Sequence, residues 1–317
     1  MNNEQVRFER LVAGGDALGH LADGRVVFVP GALPGELVDV QITQAKKDFA
    51  RGEVAAIIEP SAHRVTPPCP NVERGCGGCS WQHLDVSQHM DAKVQIVREA
   101  LKRTAKIDDA DITVGGQVAS EGTRTTVRMA VNAEGKLGFR RANSHDVIDT
   151  PTCLIAHPLL NNFIADVRVK GATEVTLRCA VATGEIGAWL HNEDGEEAQG
   201  STITGLPKHT EIGRMAVVHE HVHDVALQVS MSAFFQASPE AAEMLVSAVN
   251  DAAGEEALTG QLGLVVDAYG GGGLFTATLV DNDVPVTIVE SSPSACADAR
   301  RNLHEHAVNI QQIAFER

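Results

Sequence analysis

Three cysteines fall within eleven residues of this chain, in the run Cys69-Pro-Asn-Val-Glu-Arg-Gly-Cys76-Gly-Gly-Cys79. Thiolates crowded this way are metal ligands before they are anything else, because a chain of 317 residues can bury a core without disulfides. Gly75, Gly77 and Gly78 let the backbone wrap tightly, and their N–H groups can donate to bridging sulfides. A fourth ligand must come from elsewhere, and Cys153 is the best candidate, in the proline-marked turn Asp149-Thr-Pro-Thr-Cys153. Four thiolates suit structural zinc as well as iron. Zinc ribbons pair two Cys-x-x-Cys units, whereas here the pattern is three plus one with six residues between the first two thiols, which favours a 4Fe-4S cluster. Cys179 and Cys296 lie on apolar segments and read as core.

A second constellation lies near the C-terminus: Val265-Val-Asp267-Ala-Tyr269-Gly270-Gly271-Gly272-Gly273-Leu274-Phe275. Glycines between a strand and a helix let a ligand approach the backbone at the positive end of the helix. Seventeen residues beyond Gly273 stands Glu290, where a carboxylate could accept hydrogen bonds from both hydroxyls of a ribose. NAD and S-adenosylmethionine both fit that geometry. Thr276 occupies the place of the third glycine of a dinucleotide fingerprint, and Asp267 at the end of the first strand points towards a methyltransferase. His219, His221 and His223 alternate and so share one face of a strand. With no carboxylate or thiol at ligand spacing they read as an exposed face rather than a metal site. Phe234-Phe235-Gln236, taken alone, reads as two core rings and a surface amide.

The elements that must position these groups follow from periodicity. Residues 5–60 predict a small β-barrel: apolar runs at 26–29, 37–42 and 52–58 are separated by turn signals at Asp23-Gly24 and Pro34-Gly35. Gly14, Gly15 and Gly19 suit tight bends and close backbone approach. Pro60, Pro67, Pro68 and Pro70 argue against helix over 60–84. Residues 85–104 predict a helix with Met90, Val94, Val97 and Leu101 on one face. Strand-like alternation fills 112–235, with a hairpin turn at Asp194-Gly195. Ser238-Pro239-Glu240 opens another helix, and Gly254 ends it. From residue 263 the order is strand (263–267), glycine loop, helix through Val280, strand (285–290), helix (294–306), the opening of a doubly wound parallel sheet.

Apolar residues make up 44% of the chain and charged residues 21%, a globular balance. No apolar run is long enough to span a bilayer and no secretory signal opens the chain, so the expectation is a cytoplasmic protein with no membrane partner, acting as a monomer. A net charge of −16 argues against nucleic acid, but local distribution matters more than the sum. Between 122 and 145, Arg124, Arg128, Lys136, Arg140 and Arg141 stand against Glu134 alone, 5 − 1 = +4, so that stretch is either a solvated strand face or a groove for RNA.

Taken together, these parts resemble the TrmA/RumA-type family of RNA uridine-C5 methyltransferases. Residues 5–60 look like a TRAM domain, above all Val26-Val-Phe-Val-Pro-Gly-Ala-Leu-Pro-Gly-Glu36; Pro68-Cys69 through Cys79-Ser-Trp-Gln-His83 looks like the family's cluster loop, with Cys153 where its fourth ligand falls. Phe234-Phe-Gln236 is similar to a family motif whose glutamine contacts S-adenosylmethionine, and Asp267 to Phe275 with Glu290 are similar to its cofactor loop and ribose carboxylate. The chain departs from the family pattern in having Gly270 where cysteine is frequent, Leu274 where asparagine is frequent, and one extra residue between the first two cluster cysteines. A family cofactor contact near Arg317 is not carried over.

The resemblance implies a multidomain α/β protein. An OB-like TRAM barrel (1–60) would precede a mainly β central domain with the iron–sulfur loop (61–235), whose 85–104 helix is a candidate to pack on the last part. An incomplete Rossmann-like class I methyltransferase domain (236–317) would follow. It further implies methyl transfer from S-adenosylmethionine to uridine C5 in ribosomal or transfer RNA. Gln236, Tyr269, Gly271, Gly273 and Glu290 would hold the donor, and Cys69, Cys76, Cys79 and Cys153 the cluster. The family's nucleophilic cysteine and glutamate base fall beyond Arg317, so no catalytic residue is assigned and this chain alone is expected to have little or no activity and an unpaired apolar sheet edge. Two other classes stay open: a non-catalytic RNA-binding metalloprotein, and a radical S-adenosylmethionine enzyme modifying tRNA.

Overall fold

A computed structural model describes residues 3–314 of the chain. Contact density divides it into two units, Met1–Val114 with Arg141–Ser144, and Gly115–Arg140 with His145–Arg317. Arg317, where the family pattern has a cofactor contact, lies outside the described residues.

In the first unit, strands β1 (Asn3–Leu11), β2 (Ala17–His20), β3 (Val26–Val29), β4 (Leu37–Ala45) and β5 (Phe49–Glu59) close into a barrel in the order β1-β2-β3-β5-β4. Alternation decides the inside: Val6 and Phe8, Val27 and Val29, Val38 and Val40 all point into one core. A parallel pairing of β3 with β5 closes the barrel, so no strand edge is left open. Gly14 and Gly15 turn the chain at φ +97° and +101°. Gly19 allows close approach: a Cβ there would meet Val6 at 2.6 Å. Glu36, at the end of the Val26–Glu36 motif, is fully buried. Its carboxylate accepts from Arg64 (2.6 and 2.8 Å), from Leu33 N–H (2.8 Å) and from Ser61 N–H (3.1 Å). Burial would raise its pKa, but Arg64 and the two amides hold it below the ordinary carboxylate value.

Past the barrel, a single helical turn α1 (Pro70–Glu73) stands where the prolines argue against helix, because Pro70 sits in its first turn, the one place a missing N–H costs nothing. Asp85 caps a 3₁₀ turn (Val86–Gln88) that leads into α2 (His89–Ala100) and a closing π turn (Leu101–Ala105). This helix packs on the barrel through Ala92 and places Glu99 3.8 Å from Arg10. Its expected apolar face is only half sheltered, with Val97 46% exposed.

The second unit opens with β6 (Thr126–Val131), β7 (Leu137–Arg140) and β8 (Val147–Asp149), then α3 (Pro158–Ile164). After β9 (Arg168–Lys170) come β10 (Glu174–Cys179), β11 (Ile186–His191), β12 (Thr202–Thr204) and β13 (Glu211–Ile212). Six of these strands form one sheet, β13-β11-β10-β6-β7-β8, with α3 packed on it through Leu160, Phe163 and Ile164. Helix α3 interrupts the strand-like stretch, started by His157 as cap and Pro158 in the first turn. A hairpin of β14 (Val217–Val222) and β15 (Val225–Ser230) leads to α4 (Pro239–Ala253), capped by Ser238 and stopped at Gly254, and to a short turn α5 (Glu255–Leu258).

The chain ends in a parallel sheet. Strand β16 (Val265–Ala268), α6 (Leu274–Leu279), β17 (Val286–Glu290), α7 (Pro293–Asn302) and β18 (Val308–Gln312) give the order β16-β17-β18. Strand β16 lies at an edge of this sheet, and Leu264 and Val266 are 62% and 57% exposed, so its apolar run is not covered on both faces as the sequence alone suggests. Among the described residues no helix is long and apolar enough to cross a membrane.

Candidate functional site

The C-terminal ends of β16 and β17 present the loop Tyr269 to Gly273 and the carboxylate of Glu290 side by side. Tyr269 leaves the strand at φ +60°, and Gly271 and Gly273 follow at +56° and +85°, so the loop coils back over the start of α6. Those two φ values are why glycine stands there: a side chain at either position would be strained. Gly273 is also closed in, because a Cβ would meet Leu303 at 2.8 Å. Glu290 fastens the loop. Its Oε2 accepts from Gly271 N–H at 3.0 Å, while Oε1 accepts from Ser291 and Ser292 N–H at 2.7 Å each. Thr276, in the place of a third glycine, is buried and donates to Asp267 Oδ2 at 2.8 Å. Burial raises the Asp267 pKa, Thr276 opposes that, and Glu290 adds to it.

A cleft of about 550 Å³, a figure that includes space continuous with solvent, opens beside this loop. Gln236, Tyr269 and Gly271 line it together, as do Phe234, Phe235, Leu274 and Phe275. Gly273 caps the helix beneath, and Glu290 reaches the cleft through its bond to Gly271. Sequence reasoning did not find five further lining residues: Leu227, Gln228 and Val229 of β15, and Asp298 and Asn302 of α7. The one signal for the last two is their spacing of four on a helix, which places two polar groups on a face that is otherwise buried.

The cysteine loop belongs to the first unit. Cys69 is buried, and its N–H is held by Gln82 at 3.1 Å; Cys76 N–H donates to Asn71 carbonyl at 2.9 Å. Burial first, and then Cys79 and Cys69, push the Cys76 thiol up. Cys153 lies in the second unit, buried, its N–H on Asn161 Oδ1 at 2.9 Å. Thiol chemistry suits iron or zinc, but the side chains as placed are not a ligand shell: among the described residues no group of three His, Cys, Asp or Glu side chains could hold a metal ion. The remaining thiols are unsuited to nucleophilic attack, which needs an accessible thiolate. Burial pushes Cys179 up to about 12 and also raises Cys296, which is fully buried.

The basic stretch of 122–145 is partly offset by acids that the fold brings to it. Arg128 and Arg140 both reach Glu174, at 2.5 and 2.8 Å, and Lys136 lies 2.8 Å from Glu134 and 3.7 Å from Asp149. Glu174 and Asp149 thus offset part of the local excess of +4.

Residues 4–55 match the TRAM domain family. Over 321 residues the chain is 31% identical to an uncharacterised RNA methyltransferase of Streptomyces coelicolor, covering 92% of this chain and 69% of that protein. It is 32% identical over 295 residues to an uncharacterised RNA methyltransferase of Corynebacterium glutamicum, covering 89% and 69%. In fold it is similar to the tRNA (uracil-54, C5)-methyltransferase of Pyrococcus abyssi, solved with S-adenosyl-L-homocysteine, with a TM-score of 0.64 at 19% identity, over 98% of this chain and 81% of that one. On this sequence relationship, and with the barrel and loop just described, the chain belongs to the TrmA/RumA-type family of TRAM-containing RNA methyltransferases.

Proposed function

We propose that the intact protein methylates C5 of a uridine in ribosomal or transfer RNA, with S-adenosylmethionine held in the cleft beside the glycine loop. One observation carries this reading: the Gly271 N–H rests on the Glu290 carboxylate, in a loop that shares a cleft with Gln236 and Tyr269. Glu290 Oε2, with one N–H bound, keeps an acceptor position for a ribose hydroxyl. Gln236 offers an amide to the same cleft, Gly271, with open space where a Cβ would stand, keeps its part of the lining clear of a side chain, and Gly273 lets the loop close onto Leu303. When bound, the sulfonium donor supplies an electrophilic methyl group; the chain's own residues orient it and exclude water. Residues 236–317 are then the Rossmann-like class I part, following in sequence the OB-like barrel of 1–60 and the central 61–235. The nucleophile that adds to C6 and the base that removes the C5 proton are assigned to no residue of 1–317. The protein is read as a cytoplasmic monomer.

Cys69, Cys76, Cys79 and Cys153 are proposed as ligands of a 4Fe-4S cluster, on their number and spacing. Because methyl transfer is not redox chemistry, the cluster's part would be structural. Iron and acid-labile sulfide content tests it: Cys76→Ser should lower both, whereas Cys179→Ser should leave both unchanged. Zinc without sulfide would overturn it.

Titration of the chain with S-adenosylhomocysteine tests the cofactor reading, and nucleoside analysis of RNA methylated by the intact protein tests the product. Saturable binding and 5-methyluridine are expected. Absence of binding, or a methyl group on another base, would sink the proposal.

A further inference from the structure

One side chain of α7, that of Asn302, ties together two segments that line the cleft, β15 and the glycine loop. Asn302 Oδ1 accepts from the Gln228 N–H at 2.8 Å, and its Nδ2 donates both to the Gln228 carbonyl at 3.1 Å and to the Gly272 carbonyl at 2.9 Å. One amide thus completes the hydrogen bonding of a strand residue and holds the glycine loop. One turn earlier, Asp298 is 1% exposed. Its carboxylate accepts from Ser230 N–H at 2.8 Å, Ser230 Oγ at 2.6 Å and Gln228 Nε2 at 3.1 Å. The segment after β15 carries Phe234 and Gln236, and it is held from outside as well. Arg178, buried in the central sheet, donates to the carbonyls of Ser230 (2.6 Å) and Ala233 (2.9 Å).

We propose that Asn302, supported by Asp298, is a positioning residue for the cofactor cleft: it sets the spacing between the glycine loop and the wall that carries Gln236. A surface helix would leave its polar groups to water. Here every polar atom of the Asn302 amide is used on cleft backbone, and the carbonyls it holds cannot be satisfied by an apolar replacement. The proposal rests on the cleft being the S-adenosylmethionine site, and it assigns to α7 an indirect part in affinity, through the backbone that the ligand meets.

The chain contains one tyrosine, Tyr269, and it lines the cleft, so 3-fluorotyrosine gives a single ¹⁹F resonance that reports the loop. Two variants are compared with wild type. Asn302→Ala removes all three bonds. Asn302→Asp keeps the volume and the bond from Gln228 N–H but sets an oxygen against two carbonyls, and it serves if the alanine variant fails to fold. Thr176→Val is the control, because Thr176 bonds His191 at 2.8 Å within the central sheet and lowers stability without touching the cleft. Both Asn302 variants should bind S-adenosylhomocysteine at least about tenfold more weakly and should shift or broaden the resonance, while Thr176→Val should lower Tm and change neither. Wild-type affinity and an unmoved resonance in either folded Asn302 variant overturn the positioning role. No binding by wild type overturns the cofactor reading, and with it the role in affinity; an altered resonance in the variants would then leave only a structural tie.

Discussion

Replacing Glu36 by glutamine asks whether the TRAM motif ends in glutamate for a physical reason. The side chains are nearly isosteric, so packing is preserved and only charge and acceptor count change. Four donors converge on a carboxylate with no solvent exposure: two from Arg64, one each from Leu33 and Ser61. An amide oxygen can serve two of them, and its NH₂ would face the others, donor against donor. Arg64 also loses its counter-charge, though its side chain is 21% exposed and water recovers part of that loss. Breaking a buried ion pair costs roughly 3–5 kcal/mol, and the partial exposure puts the expectation near the lower end, about 3 kcal/mol. For a transition of the first unit alone, whose size is Met1–Val114 with Arg141–Ser144, each kcal/mol moves Tm by about 3–4 °C, so the expected fall is on the order of 10 °C. Urea and thermal melts followed by Trp81 fluorescence, in a Trp189→Phe background, read this unit selectively, because Trp81 packs on the barrel and donates to Gly15 carbonyl at 3.1 Å. Glu59→Gln is the comparison: its pair with Arg7 has side chains 57% and 54% exposed and should contribute about 0–1 kcal/mol. The pH dependence has a definite sign. A carboxylate with a lowered folded pKa contributes stability above its unfolded value, about 4.3, and that contribution is lost as pH falls through the folded value. The gap between wild type and Glu36→Gln should therefore narrow in acid. Equal effects of Glu36→Gln and Glu59→Gln at pH 7 would refute the reasoning.

Glu290→Gln should weaken S-adenosylhomocysteine binding about tenfold to a hundredfold, because an amide cannot accept from Gly271 and from Ser291 and Ser292 at once without turning its NH₂ on one of them; calorimetry with unchanged affinity would count against the ribose role. Asp267→Asn should have the opposite stability sign to Glu36→Gln. Burial raises the Asp267 pKa, so ionisation costs stability as pH rises through the folded value and nothing below the unfolded one. The variant should match wild type in acid and melt higher at pH 8, and a lower Tm at pH 8 would contradict this. Val266→Lys places a charge on an exposed position of edge strand β16, so light scattering should show less concentration-dependent association at unchanged Tm.

What could be read from the chain alone was local. Turn chemistry at Asp23-Gly24 and Pro34-Gly35 marks the barrel, Ser238-Pro239 marks a helix start, and the order of strand, glycines, helix, strand and Glu290 marks the cleft, because each depends on backbone preferences of neighbouring residues. Helix α3 was legible in principle, from His157-Pro158 and the apolar residues 159, 160, 163 and 164, but the strand-like alternation around it masked the signal. Strand β18 is short and half polar, and only its pairing with β17 defines it.

Tertiary structure alone decided the electrostatics. Glu174 lies 46 residues from Arg128 and pairs with two arginines of a stretch that looks basic in sequence; Glu36 meets Arg64 across 28 residues; Asn302 reaches back 74 residues to Gln228. Cysteine spacing names the kind of metal the thiols suit, but whether they are gathered is a question of side-chain placement. Periodicity reports which face of an element is apolar. It carries no record of which distant charge or amide will sit within 3 Å, because that is settled only when the faces are packed together.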